Sequence, residues 1–132
     1  MKVIITGGGG FLGSQLATKI LEKGMLTGQR GKPEPIEHMV LIDSKFPASQ
    51  PDERVKAIIG DISDRDIIES AIDGSTNISI FHLASMVSGE CEERYDDAIR
   101  VNLDGSRNVF EAARAIKSQP RLVFASSIAC FG

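Results

Sequence analysis

Residues 1–13 read MKVIITGGGGFLG, an apolar run followed at once by four consecutive glycines and the start of a second apolar stretch. The run Val3–Ile5 predicts a strand that is buried on both faces, as in parallel sheets. Gly7–Gly10 allow a sharp turn and a close approach of the backbone to a ligand, because no Cβ stands in the way. Phe11–Lys23 then predicts a helix whose N-terminal amides and dipole would face an anion. This order indicates a site for the pyrophosphate of a dinucleotide; the alternative is a glycine-rich turn without a ligand.

The glycines fit two spacings of such a motif. Gly8-x-Gly10-x-x-Gly13 matches the usual dinucleotide fingerprint, whereas Gly7-x-x-Gly10-x-x-Gly13 matches a wider variant. Gly10 and Gly13 serve in both, and a side chain at Gly13 would hold the helix off the sheet. The sequence leaves open whether Gly7 or Gly8 makes the tight turn.

The bulk properties point to one soluble globular domain. The chain has 132 residues, of which 42% are hydrophobic and 25% charged. A net charge of -3 without a basic block argues against nucleic-acid binding. No apolar stretch approaches the ~20 residues that span a bilayer, and the first run is too short for a signal peptide. We therefore expect no membrane partner. Cys91 and Cys130 lack CxxC or metal-ligand spacing, so we expect no metal and free thiols in a reducing cytoplasm; a disulfide or a reactive role is the alternative.

Apolar runs alternate with helical patterns along the chain. Five runs predict strands at Lys2–Thr6, Met39–Asp43, Ala57–Gly60, Ile78–Leu83 and Leu122–Ser126. Helices are predicted at Phe11–Lys23, at Asp64–Ile72 with Asp64 as N-cap and Gly74 just beyond the end, and at Glu92–Ser118. The alternation of strands and helices implies right-handed βαβ crossovers, and therefore an α/β fold with a parallel sheet covered on both faces. We expect a Rossmann-type doubly wound parallel sheet of order 3-2-1-4-5 in a three-layer αβα arrangement.

Ligands of open parallel sheets bind beyond the carboxyl ends of the strands, where the second predicted strand ends in Asp43. Its carboxylate could accept both hydroxyls of an adenosine ribose and would repel a 2′-phosphate, so NAD is expected rather than NADP. Lys45 could weaken that preference, and a solvated strand-end carboxylate is the alternative. Asp43 follows Gly13 by 30 positions (43 − 13) rather than the usual ~20. The polar segment 24–38 absorbs the difference; it is interpreted as a surface excursion or, alternatively, a partner contact.

The third predicted strand ends in Gly60-Asp61-Ile62. Asp61 could meet the exocyclic amine of adenine while Ile62 packs on the face of the ring. Alternatively, Asp61 or Ser63 only starts the next helix.

The last two strand ends also carry suitable residues. In His82-Leu83-Ala84-Ser85, small side chains would let the backbone run beside a cofactor, and His82 is expected to be a packed, hydrogen-bonded core residue. The fifth strand ends in Ala125-Ser126-Ser127, which places hydroxyls where a substrate would meet the nicotinamide, or forms an ordinary turn.

Six successive segments resemble the signatures of the extended short-chain dehydrogenase/reductases. They are TGGGGFLG at 6–13, Asp43, Gly60-Asp61-Ile62, HLAS at 82–85, Asn102-Leu103-Asp104-Gly105 and Ser126-Ser127-x-x-x-Phe131-Gly132. Within that family, HLASMVSGECE at 82–92 and SSIACFG at 126–132 are most similar to members that oxidise the C2 hydroxyl of a sugar acid such as D-erythronate with NAD. Nucleotide-sugar epimerases and dehydratases share the other motifs.

The resemblance implies roles for the matched positions. The implied cofactor contacts are Gly7, Gly10, Phe11, Leu12 and Gly13 at the pyrophosphate, Asp43 at the ribose, Asp61 and Ile62 at adenine, Leu83 and Ala84 at the nicotinamide half, and Asn102. Asn102 is implied either to contact this region or to brace the fourth strand. Ser127 would hydrogen-bond the reacting oxygen as a catalytic and substrate residue, and Ser88 would contact the substrate.

The family's chemistry needs a tyrosine as general acid/base and a lysine four positions later that lowers its pKa. Tyr95 is the one tyrosine, the residue four beyond it is Ile99, and Tyr95 precedes the serine strand that the family's tyrosine follows. We therefore expect 1–132 to be a truncated NAD-binding domain that turns over nothing by itself, with a small-molecule substrate region and a possible homodimer contact in the full-length protein. A non-catalytic dinucleotide-sensing module is the remaining alternative.

Overall fold

The computed structural model describes residues 1–47 and 52–131, so Gly132 of the serine motif lies outside the described residues. The strands are β1 (Lys2–Thr6), β2 (Met25–Thr27), β3 (Pro33–Pro35), β4 (His38–Asp43), β5 (Val55–Ile59), β6 (Ile78–His82) and β7 (Arg121–Phe124). The helices are α1 (Phe11–Lys23), α2 (Arg65–Ile72), α3 (Ser88–Glu93), α4 (Tyr95–Ala98) and α5 (Ser106–Ala115). A π-helix (Ile99–Gly105) joins α4 to α5, and a 3-10 helix spans Ile128–Phe131. In these ranges no helix is long and apolar enough to cross a bilayer.

Five strands form one parallel sheet in the order β5-β4-β1-β6-β7. With the short β2 and β3 left aside, this is the predicted order 3-2-1-4-5, which the structure confirms. β1 lies in the centre because its apolar run is buried on both faces; Val3 and Ile5 are fully buried and Ile4 is 2% exposed. The order reverses between β1 and β6, which is the point at which a ligand crevice opens.

Helices cover both faces of the sheet. Val3 and Ile5 point toward α1 and pack with Ala17 and Ile20 in one core cluster. Ile4 points to the opposite face, where a second cluster is formed with α2 and α5. The alternation of side chains along a strand therefore divides the core into two layers, and the three-layer prediction is confirmed.

The segment 24–38 contains structure that the sequence analysis did not predict. β2 and β3 pair antiparallel, with Met25 opposite Pro35. Ile36 then turns inward, is 4% exposed, and packs in the cluster beneath α1. The hairpin was missed because prolines lack the N–H that a strand donates, which argues against a strand at this point of the sequence.

The predicted single helix Glu92–Ser118 is wrong in its bounds and its continuity. Helical structure begins at Ser88, is interrupted at Arg94 (φ -133, ψ 61), widens into the π-helix, and ends at Ala115. Ile116 is packed against the core but has extended backbone with ψ 113. The apolar spacing that predicted the helix extends to Ile116, one position beyond the last residue with helical geometry.

His82 is a core residue held by hydroxyl groups on both sides, as the sequence analysis expected. Its Nδ1 lies 2.6 Å from Thr6 Oγ1 and its Nε2 lies 2.9 Å from Ser106 Oγ. The ring is fully buried and stacks on Phe124 at 5.4 Å between centroids. Burial lowers the pKa of His82 from 6.5 to about 4, because a charged imidazole would lose its hydration.

We expect the free energy of unfolding to fall as the pH is lowered from about 6.5 to about 4. In that window the unfolded chain binds a proton at His82 that the folded chain does not, so stability is lost on acidification and is constant above it. The loss is about 3 kcal/mol at pH 4. Urea titrations across the window check this, with His82→Gln expected to flatten the profile and the exposed His38→Gln to leave it unchanged. A wild-type imidazole NMR titration of His82 with its midpoint near 6.5 would contradict the assignment without any variant.

Candidate cofactor site

A cavity of about 720 Å³ opens at the carboxyl ends of the central strands. It is lined by the glycine turn, the start of α1, the ends of β4, β5 and β6, and part of the helical region beyond β6. The sequence-predicted residues that line this cavity are Gly7, Gly10, Phe11, Leu12, Gly13, Asp43, Asp61, Ile62, Leu83 and Ala84. The sheet order brings them together because parallel strands deliver all their carboxyl ends to one edge.

Gly7 makes the tight turn that the sequence left unresolved. Its φ is +74, which an L side chain rarely adopts. Gly10 N donates to Gly7 O at 3.1 Å, and Gly10 is the N-cap of α1. A Cβ on Gly13 would overlap the Gly7 carbonyl oxygen, so this glycine is needed for the close approach of helix and turn. The wider spacing Gly7-x-x-Gly10-x-x-Gly13 therefore describes the motif.

Gly9 joins the glycine turn to the end of β4, a role the sequence analysis did not assign. Its N–H donates to Asp43 Oδ2 at 2.9 Å. A Cβ at this position would overlap the carbonyl oxygen of Lys45 and stand 3.2 Å from Asp43 Cγ. The Asp43 carboxylate is thus held beside the turn by a backbone contact that only glycine allows.

The N-terminus of α1 is open toward the cavity. Within the part of the chain that the structure describes, no side chain caps it, and its first turn carries no acidic residue. The first N–H groups of a helix have no acceptor within the helix, so these amides and the positive end of the dipole remain available to an anion. Phe11 and Leu12 are 80% and 66% exposed there, so the approach to the amides is not closed by packing.

The end of β6 runs against the glycine turn. Leu83 N donates to Thr6 O at 3.1 Å, and Ala84 N donates to Thr6 Oγ1 at 3.2 Å. A Cβ on Gly7 would stand 2.8 Å from Ala84 N. The backbone of Leu83 and Ala84 therefore forms the wall of the cavity next to the turn.

Asp61 lies at the opposite side of the cavity, after β5. One carboxylate oxygen accepts Ser63 N at 2.9 Å, and the other pairs with the guanidinium of Arg100. Burial raises the pKa of the Asp61 carboxyl, but the hydrogen bonds from Arg100 and Ser63 outweigh it and hold the pKa below its usual value. The side chain that caps α2 is that of Asp64, which accepts Asp66 N at 3.0 Å, as predicted.

Ile62 faces the core more than the cavity. Its side chain is 4% exposed and packs in the cluster with Ile68 and Val109. It also fills the space beside Gly105, where a Cβ would stand 2.6 Å from Ile62 Cγ1. Only a small part of this side chain can meet a ligand, so its predicted packing on an adenine ring is limited to that part.

Three predicted residues are not among those that line the cavity. Asn102, in the π-helix, accepts Met86 N at 2.7 Å and donates to Met86 O at 3.1 Å, which favours the bracing alternative. Ser88 is the exposed first residue of α3. Ser127 is exposed after β7, and its carbonyl accepts Cys130 N at 3.2 Å. The structure thus brings the predicted cofactor residues other than Asn102 together around the cavity, whereas the predicted substrate residues Ser88 and Ser127 lie outside its lining.

We expect Asn102→Ala to lower the free energy of unfolding by about 2 kcal/mol, because Met86 N would lose its acceptor and Met86 O would keep only the weak donor Cys91 Sγ at 3.3 Å. Urea denaturation measures this. The control is Asn77→Ala, which removes a single exposed hydrogen bond to Glu34 and should change stability little. Equal stability of Asn102→Ala and wild type would exclude the bracing role.

Lys45, Gly60 and Ser85, which the sequence analysis noted at the strand ends, also line the cavity. The lining residues that it did not assign to the site are Ser44, Met86, Val87, Glu90, Arg94, Arg100 and Val101. Arg94, Asp97 and Arg100 are spaced by three, which places them on one helical face and is usual for solvated ion pairs. The sequence shows this spacing, but it could not predict that Arg100 lies next to Asp61, because that contact depends on how the helical region packs against the end of β5. Among the described residues, no cluster of His, Cys, Asp or Glu could hold a metal ion.

An open parallel sheet with a glycine turn, an uncapped helix N-terminus and a strand-end carboxylate is the arrangement of a dinucleotide-binding α/β domain. The sequence profile of the NAD dependent epimerase/dehydratase family matches residues 3–132. The chain belongs to that family, and the resemblance drawn from its motifs is confirmed. Enzymes of this family depend on NAD.

Curated relatives align with the chain from end to end. It is 45% identical to D-erythronate dehydrogenase of Cupriavidus necator over 132 residues, which is 100% of this chain and 40% of that protein. The chain therefore spans about 40% of the length of this curated relative.

The fold is shared with solved structures, among them two from Agrobacterium tumefaciens. The nucleoside-diphosphate-sugar epimerase of Agrobacterium tumefaciens superposes with a TM-score of 0.82 at 36% identity, covering 100% of this chain and 39% of that one. Uronate dehydrogenase of Agrobacterium tumefaciens, a mutant complexed with NAD, superposes with a TM-score of 0.72 at 25% identity, covering 96% and 40%.

Proposed function

We propose that residues 1–132 form the NAD-binding domain of an oxidoreductase that acts on the CH–OH group of a sugar acid such as D-erythronate. The observation that carries the proposal is the contact of Gly9 N with Asp43 Oδ2 at 2.9 Å. It holds a carboxylate beside a glycine turn and an uncapped helix N-terminus, where a ribose adjoins a pyrophosphate.

The residues present fit such a cofactor. Backbone amides at the start of α1, from Phe11 to Gly13, would hold the pyrophosphate, and the glycine turn has no Cβ to displace it. Asp43 would accept the ribose hydroxyls and repel a 2′-phosphate. Asp61 would accept from the adenine amine, and the backbone of Leu83 and Ala84 would flank the nicotinamide half.

The reaction class follows from the cofactor. When bound, NAD accepts a hydride from the carbon that bears the hydroxyl group. Ser127 would hydrogen-bond the oxygen of that hydroxyl, and Ser88 would contact the rest of the substrate. The choice of a sugar acid is supported by the 45% identity to D-erythronate dehydrogenase and by the likeness to uronate dehydrogenase.

A nucleotide-sugar epimerase is the second candidate. It is supported by the TM-score of 0.82 and the 36% identity to the nucleoside-diphosphate-sugar epimerase. Such an enzyme binds its sugar through a nucleoside diphosphate, so it would act on nucleotide sugars and not on a free sugar acid. Assays of the protein that carries this chain with D-erythronate and with nucleotide sugars separate the two candidates.

The cofactor proposal is tested on the chain itself by titration with NADH and NADPH, followed by nucleotide fluorescence. We expect saturable binding of NADH that is tighter than that of NADPH. A chain that is folded by circular dichroism and shows no saturation with NADH would overturn the proposal.

A cytoplasmic location is also proposed, in keeping with Cys91 and Cys130 both being free. A homodimer of the full-length protein stays a prediction.

A further inference from the structure

A row of four charged side chains lies along one side of the cavity. Asp61 pairs with Arg100, Arg100 Nη2 donates to Asp97 Oδ1 at 3.1 Å, and Arg94 Nε donates to Asp97 Oδ2 at 2.9 Å. Asp61, Arg100 and Arg94 line the cavity. Arg100 Nη1 also donates to Ser63 Oγ at 2.7 Å, so its guanidinium is held on both sides.

This row fixes the direction of the Asp61 carboxylate. Ser63 N holds one oxygen at 2.9 Å and Arg100 holds the other. A carboxylate oxygen can accept two hydrogen bonds, so each retains capacity for a ligand donor. An ionised carboxylate cannot donate, and it therefore favours a ligand edge with an N–H over one with a carbonyl oxygen.

We propose that Arg100 is a positioning residue that acts through Asp61, so that this cavity selects a dinucleotide whose purine carries an exocyclic amine. The inference rests on the proposed function. Without Arg100 the Asp61 carboxylate loses the partner of one oxygen and can rotate toward solvent, and the distinction between an amine and a carbonyl at the purine is lost.

A purely structural role for the ion pair predicts a different outcome. Arg100 and Asp61 are 45% and 38% exposed, and exposed ion pairs contribute little to stability. Removing Arg100 should therefore leave the unfolding midpoint nearly unchanged. The effect is expected instead in the ratio of affinities for two ligands that differ only at the purine.

The experiment compares NADH with reduced nicotinamide hypoxanthine dinucleotide, in which a carbonyl replaces the amine. We expect the wild-type chain to prefer NADH by about tenfold, the worth of one charge-assisted hydrogen bond. Arg100→Met should bring the ratio close to one, and Arg100→Lys should restore part of it. The control Arg114→Met removes an exposed ion pair with Glu111 that does not line the cavity, and should leave the ratio unchanged.

An unchanged ratio in Arg100→Met overturns the inference while leaving the proposed function intact. Failure of the wild-type chain to bind NADH overturns the proposed function and this inference with it. If Arg100→Met does not fold, Asp97→Asn provides the test, because it loosens Arg100 on the side away from Asp61. The inference is supported if the preference of Asp97→Asn for NADH is smaller than that of the wild type. It is contradicted if a folded Asp97→Asn keeps the wild-type preference.

Discussion

Asp43→Ala should reverse or abolish the preference for NADH over NADPH. Loss of the hydrogen bonds to the ribose is expected to weaken NADH about ten- to hundredfold, since a bond to a charged group is worth about 1.5–3 kcal/mol. The variant also removes the charge that repels a 2′-phosphate, so NADPH should bind more tightly. Because both effects act on the ratio, it should change by roughly a thousandfold.

Fluorescence titrations with both nucleotides measure the Asp43→Ala ratio. Asp96→Ala is the matched control, since Asp96 is exposed on α4 and does not line the cavity. If the preference for NADH survives in a folded Asp43→Ala chain, another residue recognises the ribose and the role given to Asp43 is wrong.

Gly9→Ala should weaken NADH binding by about a hundredfold or more. The new Cβ would overlap the Lys45 carbonyl oxygen, so the glycine turn and the end of β4 must separate. That shift lengthens the contact of Gly9 N with Asp43 Oδ2, which is 2.9 Å here, and moves the carboxylate from the turn. Overpacking costs about 1–3 kcal/mol and the lost charged hydrogen bond a similar amount.

The matched control for this variant is Gly89→Ala. Nothing lies within 4 Å of a Cβ built on Gly89, so the same chemical change meets open space. Calorimetry with NADH, together with an unfolding curve for each variant, separates loss of the site from loss of the fold. Equal affinity of Gly9→Ala and wild type for NADH would contradict the close contact between Gly9 and Lys45 on which this prediction depends.

Much of the fold was predictable because buried segments have recognisable patterns of apolar residues. Val3–Ile5 is a continuous apolar run, which is typical of a central parallel strand buried on both faces. Asp64 was recognised as an N-cap because its side chain can accept an N–H of the first helical turn. The hairpin of β2 and β3 was missed because Pro33 and Pro35 argue against strand pairing.

The helical region beyond β6 shows the limit of the same reasoning. Within the predicted helix Glu92–Ser118, Ile99, Leu103 and Ile116 lie near helical spacing, yet Leu103 is 61% exposed and Ile116 has extended backbone. The helical region breaks at Arg94 and widens into the π-helix, where Asn102 holds Met86. Local periodicity carries no information on such contacts between distant segments.

The sequence by itself determined the strand-turn-helix order at residues 1–23, the alternation that makes a parallel sheet, and the acidic strand ends at Asp43 and Asp61. These follow from backbone preferences and burial, which act over a few residues. Only the tertiary structure decided that Gly7 makes the turn, that Gly9 lies against Lys45, and that Arg100 reaches Asp61. Each of these depends on the distance between atoms of separate elements, which is settled when the strands and helices pack.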